Sequence, residues 1–175
     1  TQLRLKQYDG ALAVLDQMLQ RAPNNALLYN LAGGAQLGKG DRAAARTAFE
    51  KSLQAQPSFF TATDNLARME LAEKKLEPAR QHYQAFLDKN PDSAQAMQAL
   101  ADLAVIDKKP ADAVKWLEKA HAANPKAAGP GLRLAQQYLA VGEKRKALTL
   151  VSAMQVESPD DPQLLDMLGR VQAAN

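Results

Sequence analysis

His82 and His121 are the side chains in this sequence best equipped for acid–base or metal chemistry. Neither has the company that such chemistry needs. There is no HExxH pair to place two imidazoles on one helical face, no carboxylate–histidine ladder, and no cysteine to act as thiolate or ligand. Asp160 and Asp161 are adjacent, but they stand at a helix start, where caps explain them better than a metal does. Ser52, Ser58, Ser93, Ser152 and Ser158 lack the GxSxG setting that exposes a nucleophilic hydroxyl. The glycines at Gly33-Gly34 and from Gly38 to Gly40 follow no strand, so they do not form a phosphate cradle. The chain therefore reads as a non-enzyme with no catalytic residues, no metal site and no cofactor. Its two histidines read as packing or solvent-facing residues.

The elements that would position any site repeat along the chain. Residues 60 to 93 carry Leu66, Ala67, Ala79, Tyr83 and Phe86, followed by Pro91. Thirty-four residues on, Leu100, Ala101, Ala113, Leu117, Ala120 and Pro125 take the same places, and then Leu134, Ala135, Ala147, Val151, Met154 and Pro159. Backwards, Ala32, Gly33, Ala45, Phe49, Ser52 and Pro57 fit, preceded by Ala11, Leu15, Met18 and Pro23. A period of 34 with this content marks a helix–turn–helix solenoid.

The spacing predicts a partial repeat at 1–25, four repeats at 26–59, 60–93, 94–127 and 128–161, and a terminal half repeat at 162–175, in one domain. Residues 1 to 7, with Leu3 and Leu5, read as the tail of a preceding first helix, and residues 8 to 20 as its second helix. Helices follow at about 25–37, 41–54, 59–71, 75–88, 93–105, 110–122, 128–140, 144–156 and 162–173. Asp41 and Ser58 are expected caps, Asp92 with Gln95 forms a capping box, and Pro110 opens a helix. Gly131 predicts a late start for the helix beginning near 128. Links of a few residues force neighbouring helices to run antiparallel.

Composition bounds the class. Of 175 residues, 46% are hydrophobic, mostly Ala and Leu, and 5% are aromatic, which favours slender close-packed helices over a sheet or an aromatic pocket. A net charge of +3 is too mild to call for nucleic acid. Absence of cysteine leaves the redox compartment open. No run approaches the length of a membrane span, and no signal peptide is visible. The chain starts at Thr1 inside a helix pattern and reads as a piece of something longer.

Five prolines in phase, each preceded at fixed offsets by small and large residues, resemble the tetratricopeptide repeat (TPR) family over essentially the full length. The resemblance implies an all-α TPR superhelix, a right-handed solenoid of antiparallel helix pairs with a concave inner wall. It also implies that ligand contacts come from the first helix of each repeat. Carried onto this chain, the groove positions include Asn30, Asp64, Arg68, Gln95, Gln98, Asp102, Leu132, Gln136, Asp166 and Arg170. Such a wall of amides, mixed charge and modest aliphatics suits an extended peptide or a helix; read blandly, it is a solvated face. The chaperone-tail-binding subtype needs a carboxylate clamp, for which Asn30, Gly34, Asn65, Gln95 and Ala99 hold the matching places. Only Asn65 agrees, so that subtype is rejected. Phrases such as ADAVKWLEKAHAANPKAAGPGLRLAQQYLAVGEKRKAL further resemble the TPR-repeat lipoproteins of bacterial PEP-CTERM systems.

Basic residues gather at the turns inside each repeat: Lys39 and Arg42, Lys74 and Lys75, Lys108 and Lys109, then Lys144, Arg145 and Lys146. Stacked repeats would align them into a ridge suited to an acidic polymer such as a polysaccharide, or to anionic lipid heads. Read blandly, they are lysines near helix C-termini that favour the dipole and keep the solenoid soluble. Nucleic acid is disfavoured, because no aromatics interleave the ridge. The expectation is a non-catalytic protein–protein interaction scaffold in bacterial envelope exopolysaccharide export or assembly. The place expected for it is the periplasmic side of a Gram-negative envelope, outer-membrane anchored in the parent, with the cytoplasm as the alternative. Two other roles fit the same features: a substrate-gripping or regulatory arm of a larger enzyme or transcription regulator, and direct binding of acidic polysaccharide. The incomplete repeats at either end make end-to-end self-association a further expectation.

Overall fold

A computed structural model of the protein describes residues 2–174, all of them in helices or in turns between them. The ten helices described are α1 (Gln2–Arg21), α2 (Ala26–Lys39), α3 (Arg42–Ala55), α4 (Phe60–Ala72), α5 (Leu76–Lys89), α6 (Ala94–Ile106), α7 (Pro110–Ala123), α8 (Ala128–Ala140), α9 (Lys144–Glu157) and α10 (Pro162–Ala174). Links of two to four residues join them, so consecutive helices lie antiparallel from α1 to α5 and, separately, from α6 to α10. The chain divides into two compact units, one ending at Asn90 and one beginning at Pro91.

In the first unit each helix packs on the next, from α1 to α5. Leu15, Leu28 and Ala32 form one core cluster there, and Ala45, Phe49, Ala62, Leu66 and Met69 another. Phe60 adds an edge-on contact with Phe86 at 5.4 Å between centroids. In the second unit α6 to α9 pack in sequence, and α10 rests on both α8 and α9. Its core runs from Ala101 through Leu117, Leu134 and Val151 to Val171. Small residues at the helix crossings let the backbones approach. A β-carbon on Gly33 would lie 2.4 Å from the Phe49 ring, so close packing of α2 on α3 leaves room there for a glycine alone.

Helix ends follow from local chemistry. Asn25, Asp41 and Ser93 each accept a backbone N–H from the residue three on, at 3.1, 2.9 and 3.3 Å. Pro110 occupies the first turn of α7, where its missing N–H costs nothing. All four turns inside complete repeats end their first helix the same way. Residues 40, 74, 108 and 142 are left-handed (φ 90, 60, 58 and 81°), and the next N–H reaches back five residues, as from Lys109 to Ala104 at 2.8 Å.

Four expectations are corrected. Residues 2 to 7 are not the tail of a separate helix but continue α1 without a break; the side chain of Leu3 lies outside those described. Ser58 does not cap α4, whose N-cap is Phe59 with no side-chain bond. Asp92 forms no capping box, since Ser93 takes that role one residue later. Gly131 does not delay α8, which begins at Ala128; Met154 sits against Gly131, where a β-carbon would be 2.4 Å from its sulfur.

Candidate functional site

The proposed groove residues lie on α2, α4, α6, α8 and α10, the first helices of successive pairs. In the first unit Asn30 is buried and accepts a hydrogen bond from Asn65 Nδ2 at 2.9 Å, tying α2 to α4. Asp64 accepts from the Tyr83 hydroxyl at 2.7 Å and pairs with Arg68 one helical turn on, also at 2.7 Å. Its carboxylate is thus held between the two helices of its own repeat, while the Arg68 side chain remains exposed.

In the second unit Gln98 and Asp102 on α6 both engage Arg133 on α8, Gln98 at 3.3 Å. Leu132, Gln136 and Asp166 come together with Gln163 in a cleft of about 320 Å³ between α8 and α10. Pro162 and Met167 complete its apolar floor. Gln95 and Arg170 are exposed and do not line it.

Arg133, Pro162 and Met167 are residues that the sequence reading missed. A signal for Arg133 existed. Polar contacts between successive first helices fall one residue beyond the repeat length, as in Asn30–Asn65 and Gln98–Arg133, or three short of it, as in Asp102–Arg133. Searching for pairs at those offsets would have found it.

Among the described residues, some of the cations expected to line a basic ridge stand in ion pairs and others are simply exposed. Lys75 pairs with Glu73 at 2.6 Å, Lys109 with Asp107 at 2.7 Å and Lys146 with Glu143 at 2.5 Å. Hydrogen bonds from Lys75 and Arg42 hold the Glu73 carboxyl below its usual range, and Glu73 in turn raises the Lys75 ammonium. Lys74, Lys108, Lys144 and Arg145 are exposed. The expected dipole benefit is corrected for part of the set. Lys144, Arg145 and Lys146 open α9, and Lys75 and Lys109 are N-caps, so these cations sit where the dipole disfavours them.

The histidines are built into packing. His82 Nε2 lies 4.0 Å from Glu70, whose buried carboxylate is already engaged by Arg46 at 2.5 Å. Burial pushes the His82 imidazole below its ordinary range, and Glu70 opposes that only in part. His121 Nδ1 is buried with no hydrogen-bond partner and would lie 3.2 Å from a β-carbon on Gly131. Among the described residues no group of three or more His, Cys, Asp or Glu is placed to hold a metal ion. No helix among them is long and apolar enough to cross a membrane.

Antiparallel pairs at a fixed period, with polar residues along their first helices, define a helical-repeat protein. Tetratricopeptide repeat models match residues 2–63 and 104–171, and a second such model matches 65–128. The chain belongs to the tetratricopeptide repeat family. Among solved structures, MamA from Desulfovibrio magneticus RS-1 (residue 41 to its end) is 22% identical, with TM-score 0.61, covering 91% of this chain and 90% of that one. A tetratricopeptide repeat protein from Parabacteroides merdae ATCC 43184 is 19% identical, with TM-score 0.63 and coverage of 95% and 66%. YrrB, described as a TPR protein with an unusual peptide-binding site, is 15% identical, with TM-score 0.58 and coverage of 91% and 82%. At these identities the likeness is one of fold. No curated protein matches the sequence. TPR domains generally act as protein–protein interaction scaffolds, and that is the class of function this chain carries.

Proposed function

We propose that the second unit grips an extended segment of a partner protein on its first helices α6, α8 and α10, with the α8–α10 cleft as the main purchase. The observation that carries this reading is the convergence of Leu132, Gln136 and Asp166 on that cleft. Leu132, Pro162 and Met167 offer an apolar floor for a small side chain. The amides of Gln136 and Gln163 both donate and accept, which suits a peptide backbone. Arg133 is neutralised by Asp102, so Asp166 carries the unspent charge at the cleft and favours a lysine or arginine on the ligand. The peptide-binding site described for YrrB on the same fold supports the reading.

Peptides selected from a displayed library against the chain test it, with affinity read by fluorescence anisotropy. Gln136→Ala and Asp166→Asn are each expected to weaken binding by roughly 2- to 10-fold, the range for one lost hydrogen bond. Equal binding to the double variant would refute this assignment of the cleft.

For the biological setting we propose exopolysaccharide export or assembly on the periplasmic side of a bacterial envelope, on the resemblance to PEP-CTERM lipoproteins alone. Recovery of only cytoplasmic regulators in pull-downs would refute it and favour the regulatory-arm alternative. Direct binding of acidic polysaccharide is the second reading, supported by the exposed cations at Lys74, Lys108, Lys144 and Arg145. It requires salt-sensitive binding of an alginate-like polymer that is lost on charge reversal at Lys108 and Lys109.

A further inference from the structure

Leu132 and Gln136 present one face of α8 to the cleft shared with α10. Leu134 and Tyr138 stand two residues further on, about 200° round the same helix. They line a different cleft, of about 560 Å³, between α7, α8 and α9. That volume falls in the range of roughly 300–1,000 Å³ usual for ligand clefts. Leu150 and Ala153 of α9 join Leu134 and the Tyr138 ring to give it an apolar floor.

The same register two repeat lengths earlier, in the first unit, is filled by a buried ion pair. Glu70 stands there in place of Tyr138, and His82 in place of Leu150. Arg46 of α3 reaches the Glu70 carboxylate at 2.5 Å, and His82 Nε2 of α5 lies 4.0 Å from it, so three helices are laced together. In the second unit the register of Arg46 holds Val114, which is buried in the core and too short to cross from α7 towards α9. The opening between α7 and α9 is thus written into the side chains of this repeat.

We infer that the α7–α8–α9 cleft is a second binding site, for a partner segment that carries a bulky apolar side chain beside an acidic residue. The apolar side chain seats on Leu134, Leu150 and Ala153. Charge at the start of α9 selects the acidic neighbour. Glu118 already accepts from the Tyr138 hydroxyl at 2.8 Å. Lys146 is paired with Glu143 at 2.5 Å and lies 5.4 Å from the Tyr138 ring centroid. Arg145 lines the cleft, is exposed, and is in no salt bridge among the described residues. Its guanidinium is therefore free to take a carboxylate in two parallel hydrogen bonds. The α8–α10 cleft has the opposite preference, set by Asp166. One helix thus serves two clefts of opposite charge on opposite faces, and the unit can hold a basic and an acidic segment together.

A displayed library of random peptides, selected against the 175-residue chain and read as synthetic peptides by fluorescence anisotropy, tests this. Selection is expected to recover peptides that join Leu, Ile, Met or Phe to Asp or Glu. Arg145→Glu should weaken them roughly 10-fold or more, the value of one charge-assisted hydrogen bond. Ala153→Glu, which sets a carboxylate on the apolar floor, should weaken them similarly. Both positions are exposed, and unchanged helical circular dichroism checks that the variants fold. Lys144→Glu makes the same charge change one residue outside the lining and should cost only about 2-fold. Gln136→Ala with Asp166→Asn should leave these peptides bound, so failure at one cleft is told apart from failure at the other. Four results would overturn the proposal. They are recovery of no acidic–apolar peptide, equal loss with Lys144→Glu and Arg145→Glu, loss with the Gln136–Asp166 double variant, and equal binding of poly-glutamate. The last would mean that charge alone draws an acidic polymer.

Discussion

Gly33 and Gly34 are neighbours in the middle of α2, and the structure gives the same substitution opposite signs at the two positions. Alanine in place of a mid-helix glycine contributes about 1 kcal/mol through backbone entropy and helix propensity. At Gly34 nothing lies within 4 Å of the added β-carbon and the residue is exposed, so Gly34→Ala keeps that gain, roughly 0.5 to 1 kcal/mol. At Gly33 the β-carbon would lie 2.4, 2.6 and 2.8 Å from three atoms of the Phe49 ring, against an optimum of about 3.5 to 4 Å. Phe49 is 0% exposed, so its ring has no solvent to retreat into. Overpacking of this kind costs about 1 to 3 kcal/mol, which exceeds the propensity gain. Gly33→Ala should therefore destabilise by about 1 kcal/mol, a difference of about 2 kcal/mol between adjacent positions.

Urea unfolding followed by helical circular dichroism measures both variants, with an unchanged slope as the check that only stability has moved. A rescue sharpens the assay. In the third repeat the same pair of positions holds Ala101 and Leu117, both buried. Adding Phe49→Leu to Gly33→Ala rebuilds that combination, and the double variant should recover stability relative to the sum of the two single changes. Ala67 facing the register of Tyr83 shows what would refute the reasoning, since an alanine and an aromatic ring coexist there. If Gly33→Ala is neutral or stabilising, the Phe49 ring re-seats as Tyr83 does, and close helix approach is not the reason for that glycine.

The left-handed residues at the repeat turns give a paired prediction. Lys108→Gly relieves a conformation costing about 1 to 2 kcal/mol but frees the unfolded chain, for a net gain of about 0.5 kcal/mol. Gly142→Ala should lose a similar amount or somewhat more, and chemical denaturation of the two variants side by side checks the signs. Arg46→Met strands the buried Glu70 carboxylate and should cost about 2 to 3 kcal/mol, less than for a fully buried pair because Arg46 is one-third exposed. Converting both residues to Met should restore most of that loss, which thermal unfolding would register. The His82 imidazole is depressed by burial, so between its folded pKa and the ordinary 6.5 the unfolded chain binds more protons. Stability is thus complete above that window and falls as pH drops through it, and His82→Asn should show a shallower decline between pH 7 and 5.5.

The fold was legible because its determinants are periodic. Pro23, Pro57, Pro91, Pro125 and Pro159 mark the links, and Ala45, Ala79, Ala113 and Ala147, each fully buried, mark the packed face of the second helices, so a 34-residue ruler places the helices to within one or two residues from α2 onward. What failed was set by atoms that a ruler does not see. Ser58 and Ser93 occupy neighbouring turns of like composition, yet only Ser93 stands directly before its helix with its oxygen within reach of an N–H. Gly131 looked like a weak start for α8 because its partner, the Met154 sulfur, is 23 residues away and fills the space.

The polar wall was the least legible part, for a related reason. Family register names positions that face a ligand but is silent on which of them are already engaged. Asn30, Asp64, Gln98 and Asp102 all stand at groove positions, and all four are tied to Asn65, Tyr83 or Arg133. These bonds join successive first helices, or the two helices of one repeat, and hold the wall in shape. Leu132, Gln136 and Asp166 stand at equivalent positions with their cleft open. A position that braces the scaffold and one that is free to bind differ in whether a partner sits 31 or 35 residues away on a neighbouring first helix, or 19 residues away on the second helix of its own repeat, so a reading of binding residues in such a repeat gains most from searching those offsets before assigning any side chain to a ligand.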